Sequence, residues 1–172
     1  NGGYGIMQIG NVDNRPGRIA YATGARNVLE NLAFPGWSIS AQGFWDFFSS
    51  QVIPISVNSG KAQYWPNYMN HLLGGGMRYR MMTEYYRHHA WRKPKLMAGM
   101  TIFAYHFLNE VVENGDYRGP STDAVADFWI FNPAGIILFS SDKVARFFSE
   151  TLHMADWSYQ PMFMPWREEL QN

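Results

Sequence analysis

The chain has 172 residues, enough for one compact domain with its own core, and it has no cysteine, which excludes disulfide scaffolds, thiolate metal sites and cysteine nucleophiles. Basic and acidic residues number 14 each, so the net charge is zero, which argues against a nucleic-acid partner bound through bulk charge. Aromatic residues make up 17% of the chain and charged residues only 16%, against about 25% charged residues in ordinary soluble domains. This composition is typical of a protein whose surface is covered by a partner.

Residues 1–64 are predicted to be an irregular, aromatic-rich segment that packs on the rest of the chain or on a partner. Glycine and proline are frequent there and mark turns. A short helix is predicted at about 22–32. The aromatic patch that includes Trp45, Phe47 and Phe48 has two interpretations. It is either a hydrophobic plug beneath a loop or, because tryptophan-rich stretches favour membrane–water interfaces, a contact with lipid or a partner.

Residues 65–172 are predicted to be a helical domain of about four helices in hairpins, closed by an extended C-terminal tail. Apolar residues recur there at helical spacing, and proline, Asp and Ser occur where helices begin. The predicted helices start near Pro66, Pro94, Asp123 and Ser141. Gly115 is expected to end the second helix. The predicted fold class is therefore mainly α.

Two features predict irregularities in these helices. The run from Gly74 to Gly76 indicates either the close approach of another backbone or a break, because glycine is unfavourable inside a helix. Pro133 is expected to kink or end the third helix, and Asn132 before it is expected to leave the helical region.

The second predicted helix carries an unusual polar stripe. His106, Glu110 and Glu113 fall on one side of it, while the opposite side is apolar and the first half is apolar all round. A helix that is apolar all round is buried or faces lipid. Because buried ionisable groups need partners, the stripe is expected to face a protein interior.

Candidate residues for chemistry lie on three predicted helices, and these catalytic candidates are His71, His106, Glu110, Glu113, Asp123 and Asp127. Helical bundles build metal sites from such side chains, so a divalent cation is the candidate cofactor. The predicted metal ligands are His106, Glu110, Asp123 and Asp127. In the alternative, structural interpretation, helix N-termini and basic residues neutralise the carboxylates, the basic residues being Arg78, Arg80 and Arg118. The sequence has no recognised metal spacing such as His-Glu-x-x-His to decide between the two.

The connector between the first two predicted helices, residues 87–95, is basic and contains a tryptophan. Its predicted contacts with lipid or a partner are Arg87, His88, Trp91, Arg92 and Lys93. Such a pattern suits anionic lipid head groups or an acidic protein surface. A solvated hairpin turn is the alternative.

Several runs within residues 65–172 resemble an uncharacterised family of bacterial envelope proteins. The runs are Trp65-Pro66-Asn67-Tyr68-Met69-Asn70-His71, Gly74-Gly75-Gly76, Tyr105-His106-Phe107-Leu108-Asn109-Glu110, Asp123-Ala124-Val125-Ala126-Asp127 and Asn132-Pro133-Ala134-Gly135. More remotely, the chain is similar to the VanZ-like membrane domain at His71, Glu110, Asp123, Asp127, Asn132 and Gly135. The resemblance implies a helical, membrane-associated protein of the bacterial cell envelope, on its periplasmic or outer-membrane side, that handles or senses lipid-linked envelope components.

Two functions follow as expectations. The first is a non-catalytic accessory or scaffold subunit of a larger membrane assembly, with membrane lipid or other envelope subunits as partners. The second is a metal-dependent enzyme or lipid-phosphate-handling protein that uses the His/carboxylate cluster, and the sequence leaves open which is correct. No apolar stretch approaches the roughly 20 residues of a bilayer span, which favours an interfacial position or burial in an assembly.

Overall fold

The computed structural model describes residues 19–58, 61–152 and 154, and the backbone of two short strands near the C-terminus. The helices in these ranges are α1 (Tyr21–Ala33), α2 (Pro35–Gln42), α3 (Phe44–Phe47 continuing as Phe48–Val52), α4 (Tyr64–Gly74 continuing as Gly75–His88), α5 (Pro94–Asn114), α6 (Asp123–Ala126, Asp127–Phe131 and Asn132–Phe139 in succession) and α7 (Asp142–Arg146 continuing as Phe147–Thr151). The predicted mainly-α fold class is confirmed, and the helices form a bundle.

The two strands lie in the part of the chain predicted to be an extended tail. β1 (Met162–Met164) pairs antiparallel with β2 (Glu169–Gln171), and Met162 lies opposite Gln171. The rest of the predicted tail after residue 154 lies outside the described residues.

The N-terminal segment differs from the prediction. α1 confirms the helix expected at about 22–32, but residues 35–52, expected to be irregular, form α2 and α3. Pro35 was interpreted as part of a turn, whereas it opens α2, where its missing N–H leaves no hydrogen bond unmade. Gly43, with φ 99°, separates α2 from α3 in a conformation that favours glycine. Residues 1–18 of the segment lie outside the described residues.

α6 continues through Pro133, where the sequence predicted a kink or an end. The helix does not end there, and Asn132 keeps helical angles, with φ −63° and ψ −49°. The preceding turn, Asp127–Phe131, is π-helical. Because this wider turn shifts the hydrogen bonds that the proline would interrupt, the helix can go on. Such π-turns are frequent at functional sites.

The glycine run in α4 lies where the backbones of α4 and α6 meet. α4 is continuous across it, so the structure confirms a close approach and excludes a break. A Cβ added at Gly135 would lie 2.5 Å from the Leu72 carbonyl oxygen and 3.2 Å from the Gly76 nitrogen. A Cβ added at Gly76 would lie 2.8 Å from the Gly135 carbonyl oxygen and would overlap the Phe139 ring. This crossing of α4 and α6 therefore has no room for a side chain at either glycine.

Three apolar clusters tie the helices together around this crossing. They are Val28, Val111 and Ala124 between α1, α5 and α6, then Phe47, Ala126 and Phe131 between α3 and α6, and Tyr79, Ala98 and Ile102 between α4 and α5. Each cluster joins helices that are distant in sequence, so the ionisable residues of α4, α5 and α6 are held at fixed relative positions.

Buried asparagines of α1 hold the connection between α5 and α6. Asn27 accepts a hydrogen bond from the Gly119 N–H at 2.9 Å. Asn31 accepts one from the Ser121 N–H at 2.7 Å and donates one to the Gly119 carbonyl at 3.0 Å. Because this connection leads directly into Asp123, α1 helps to fix where α6 begins.

Within the described ranges, no helix taken singly has the length and apolarity of a membrane span. α6 and α7 reach those limits only as a pair, and the pair is bent by 86° between Asp123–Phe139 and Asp142–Thr151.

Replacement of Gly135 by alanine is expected to destabilise the fold, because the added methyl group would overlap the Leu72 carbonyl unless α4 and α6 separate. Overpacking of this kind lowers the free energy of unfolding by about 1–3 kcal/mol. Gly99→Ala is the matched control, since nothing lies within 4 Å of its added Cβ. In that helix interior, alanine is favoured over glycine by about 1 kcal/mol. Equal denaturant midpoints for the two variants would contradict the described crossing.

Candidate metal centre

Three buried ionisable side chains meet between α4, α5 and α6. His71 comes from α4, Glu110 from α5 and Asp127 from α6, and their exposed fractions are 3%, 2% and 1%. One ligand atom of each lies within 4.8 Å of the other two. Groups of this kind are almost never fully buried unless they are paired or coordinate a metal. This arrangement is a buried His/Glu/Asp group that could hold a metal ion.

Asn132 sets the orientation of the His71 ring. Its Oδ1 lies 3.1 Å from His71 Nδ1. Because an amide oxygen can only accept a hydrogen bond, Nδ1 is the protonated ring nitrogen and donates the hydrogen bond. Nε2 then has a free lone pair and lies 3.1 Å from Asp127 Oδ2. Two acceptors at this distance repel each other unless a proton or a cation lies between them. In metal-binding histidines, one ring nitrogen binds the metal and the other donates a hydrogen bond that fixes the ring orientation, as Nδ1 does here.

A second group of carboxylates adjoins the first. Glu110, Glu113 and Asp123 also offer ligand atoms that all lie within 4.8 Å of one another. Glu110 therefore belongs to both groups. Glu113 and Asp123 are half-buried, so the second group lies closer to solvent than the first. One face of α5 and one face of α6 supply the carboxyl groups of both groups, because side chains three or four residues apart in a helix are neighbours.

Burial raises the pKa of all the carboxyl groups in this cluster. The pKa values of Glu110 and Asp127 lie well above the ordinary range, because burial removes water and the charge of Asp123 adds repulsion. The pKa of Glu113 rises to about 7, through burial and then the charge of Asp123. The pKa of Asp123 is raised by burial. Glu113 thus keeps its proton in part at neutral pH, and a divalent cation bound in the cluster would displace protons from its carboxyl groups.

Burial has the opposite effect on the two histidines. It lowers the pKa of His71 to about 4. It also lowers the pKa of His106 well below the ordinary range, with a further contribution from His71. Both rings are therefore neutral at neutral pH, which is the form of imidazole that binds metal ions.

His106 lies beside the cluster but in neither group. Its ring centroid is 4.5 Å from that of His71. The side chain is fully buried, and its hydrogen-bond partner is the Asn132 side chain. Gly75 makes room for it, since a Cβ there would lie 3.1 Å from His106 Cε1. Of the predicted metal ligands, Glu110 and Asp127 are grouped with His71 instead of His106, and Asp123 falls in the second group.

Arg80 was one of three arginines expected to neutralise the cluster carboxylates, and it does not contact them. Its side chain contacts Glu84 at 2.6 Å and Asp142 at 2.5 Å on the surface. Arg118 is exposed and lines a surface cavity beside α1. Arg78 is close enough for its charge to lower the pKa of both histidines. His71 contacts the Asp127 carboxyl group at 3.1 Å, and because its ring is neutral this contact does not supply a compensating positive charge.

The residues predicted to contact lipid or a partner are exposed with two exceptions. Those exposed are Trp45, Arg87, His88, Trp91, Arg92 and Lys93. Phe48 is half-buried, and Phe47 is 5% exposed because it packs against Ala126 and Phe131 in the core. Phe47 is therefore a core residue and cannot contact a partner at the surface.

Asn132 is the functional residue that periodicity and composition missed. The only local signal was the Asn-Pro pair, which predicted a helix end. In the structure Asn132 lies beside His71, and Gly135 lies where α4 and α6 cross. A Cβ at Gly135 would lie 3.2 Å from the His71 carbonyl oxygen.

Comparisons with protein-family models, with curated proteins and with solved structures find no match to this chain.

The metal-free protein is expected to lose stability as the pH rises from about 6 to 7, the last unit below the raised pKa of Glu113. The folded chain retains protons on carboxyl groups such as Glu113, whose pKa is raised to about 7, whereas unfolded carboxyls release them near pH 4. The folded state then binds more protons, so rising pH favours unfolding by about 1.4 kcal/mol per pH unit for each extra proton. The histidines, whose pKa values are lowered, reduce stability only below about pH 6.5.

Thermal melting in the presence of a chelator, followed by circular dichroism across this pH range, measures the effect. Glu113→Gln should show a shallower decline in Tm than the wild type, because one of the titrating groups is gone. A wild-type Tm that stays constant or rises over the interval contradicts the raised carboxyl pKa values.

Proposed function

We propose that this chain is a membrane-associated helical domain of the bacterial cell envelope that acts as a non-catalytic accessory or scaffold subunit of a larger membrane assembly. The observation that carries the proposal is the inverted orientation of α5. Its ionisable residues His106 and Glu110 are buried, whereas Leu96, Met100 and Leu108 are 55%, 59% and 64% exposed. A helix at a water-facing surface has the reverse arrangement. An apolar outer face suits contact with lipid or another subunit.

Further exposed side chains support the same proposal. Trp37, Trp45 and Trp129 are exposed, and tryptophan is enriched where proteins meet the membrane–water interface. The turn between α4 and α5 presents Trp91 among exposed basic residues, which suits anionic head groups. The bacterial envelope and its periplasmic or outer-membrane side enter the proposal through the resemblance described above.

Flotation with vesicles of phosphatidylglycerol and phosphatidylcholine tests membrane association. The purified chain is expected to float with the vesicles, and Leu108→Glu to weaken binding about tenfold or more, because burying one leucine contributes about 1.5–3 kcal/mol. Lys61→Gln, an exposed site, is the control, since it changes the net charge by the same amount without removing apolar surface. A chain that stays monomeric in detergent-free buffer and does not float contradicts the proposal.

A second candidate function is the metal-dependent handling of phosphate-containing lipid, and the group formed by His71, Glu110 and Asp127 favours it. One neutral imidazole and two carboxylates are ligands that Zn²⁺ and Mn²⁺ accept. A cation held by three protein ligands keeps coordination positions open for phosphate oxygens. In this second function a bound cation would contact a substrate, whereas in the scaffold function any bound cation would only stabilise the fold.

Cation binding at this group is expected to raise the Tm of chelator-treated protein when Mn²⁺ or Zn²⁺ is added, because a ligand that binds only the folded state stabilises it. Each tenfold excess over the Kd adds about 1.4 kcal/mol. Glu110→Gln should abolish the rise. Glu84→Gln should keep it, since Glu84 is an exposed carboxylate of α4 that pairs with Arg80. No Tm change for the wild type with either metal contradicts cation binding.

A further inference from the structure

We propose that the cluster binds two divalent cations joined by Glu110. The inner cation is held by His71, Glu110 and Asp127, and the outer cation by Glu110, Glu113 and Asp123. This inference rests on the cation-binding proposal above and extends it by fixing the number of ions and the ligands of each.

The geometry of Glu110 is the first observation. It is the residue common to both groups, and in each group the ligand atoms lie within 4.8 Å of one another. A carboxylate has two oxygens, each of which can bind a different cation. Helical bundles use this device in their carboxylate di-metal sites, where glutamates and histidines of facing helices project inward. The Glu-x-x-Glu pair of α5 and the Asp-x-x-x-Asp pair of α6 supply such inward-facing ligands here.

The contacts of the buried carboxyl oxygens are the second observation. Asp127 is 1% exposed, and its carboxyl group is hydrogen-bonded to that of Glu110, a contact between two acids that requires a proton or a cation. Asp123 Oδ1 is shielded from solvent and has no hydrogen-bond partner in the described part of the chain. Buried carboxylate oxygens are normally satisfied, and each exception calls for an explanation such as a bound ion. The Glu110–Asp127 contact lies in the inner group, and Asp123 is a ligand of the outer group.

Formal charge is compatible with two cations. The two groups together contain the four carboxyl groups of Glu110, Glu113, Asp123 and Asp127, and their remaining member, His71, is an uncharged ligand. If all four carboxyl groups release their protons, two divalent cations balance the charge in full. With one cation, two carboxyl groups keep their protons, because an interior of low dielectric favours neutrality.

The two positions differ in their access to solvent. The inner ligands are all buried, whereas Glu113 and Asp123 are half-buried. The outer cation is therefore expected to bind more weakly and to exchange faster. It is also the one whose open coordination positions a ligand from solvent could reach.

The test counts Mn²⁺ bound to the full chain. Chelator-treated protein is dialysed against rising Mn²⁺, and the bound metal is measured by mass spectrometry together with the electron paramagnetic resonance spectrum. We expect two Mn²⁺ per chain, the first bound at least tenfold more tightly. We also expect the spectrum of a magnetically coupled pair, because a shared carboxylate links the two ions.

Substitutions separate the two positions. Glu113→Gln should bind one Mn²⁺ and lose the coupling, whereas Glu110→Gln should weaken both sites. Glu84→Gln should bind two coupled ions like the wild type. If Glu113→Gln does not fold, the coupled spectrum of the wild type still decides between one site and two.

Two outcomes would overturn the inference. One Mn²⁺ per wild-type chain, or a second ion that is uncoupled and persists in Glu113→Gln, removes the outer site and leaves the single-cation proposal standing. No bound Mn²⁺ at all removes both.

Discussion

The close approach of α4 and α6 is the constraint on which the rest of the structure depends. Gly76 and Gly135 let the two backbones touch, and this contact brings His71 of α4 against Asp127 and Asn132 of α6. A side chain at either glycine would push the two helices apart and break the contacts of His71 with Asp127 and Asn132. The π-turn of α6 begins at Asp127 and ends just before Asn132. Both residues therefore lie at the irregularity that lets the helix continue past Pro133.

Burial of the carboxyl groups accounts for the protonation of the cluster and for the orientation of α5. An interior that contains Glu110 and Asp127 must compensate their charge with protons or cations, and burial accordingly raises their pKa values. Burial also lowers the pKa of His71, so that ring stays neutral. α5 packs Ala98, Ile102 and Val111 inward beside its ionisable residues and leaves Leu96, Met100 and Leu108 outside. The exposed Leu108 and the buried Glu110 are therefore consequences of the same orientation.

Much of this arrangement could be predicted from the sequence, because periodicity fixes which face of a helix is polar. The start of α5 at Pro94, its end before Gly115 and its inward polar stripe follow from local rules. Periodicity cannot show which residues of separate helices meet, so His106 was predicted as a ligand where the structure groups His71. Proline is equally ambiguous, since Pro35 opens a helix and Pro133 lies within one. Phe47 lies in an aromatic run whose members look alike in sequence, and only tertiary packing shows that it is buried.

The proposed surface contact and the proposed cation site are physically connected through α5. Glu110 of this helix is buried, whereas Leu108, on the opposite side of the helix, is exposed together with Met100. Lipid or a subunit covering that outer face would exclude water from one side of the helix and lower the dielectric constant around the cluster. Lower dielectric makes uncompensated carboxylate charge more costly and strengthens its attraction to a cation. Association at the outer face and charge compensation at the inner face would therefore reinforce each other, although no residue takes part in both.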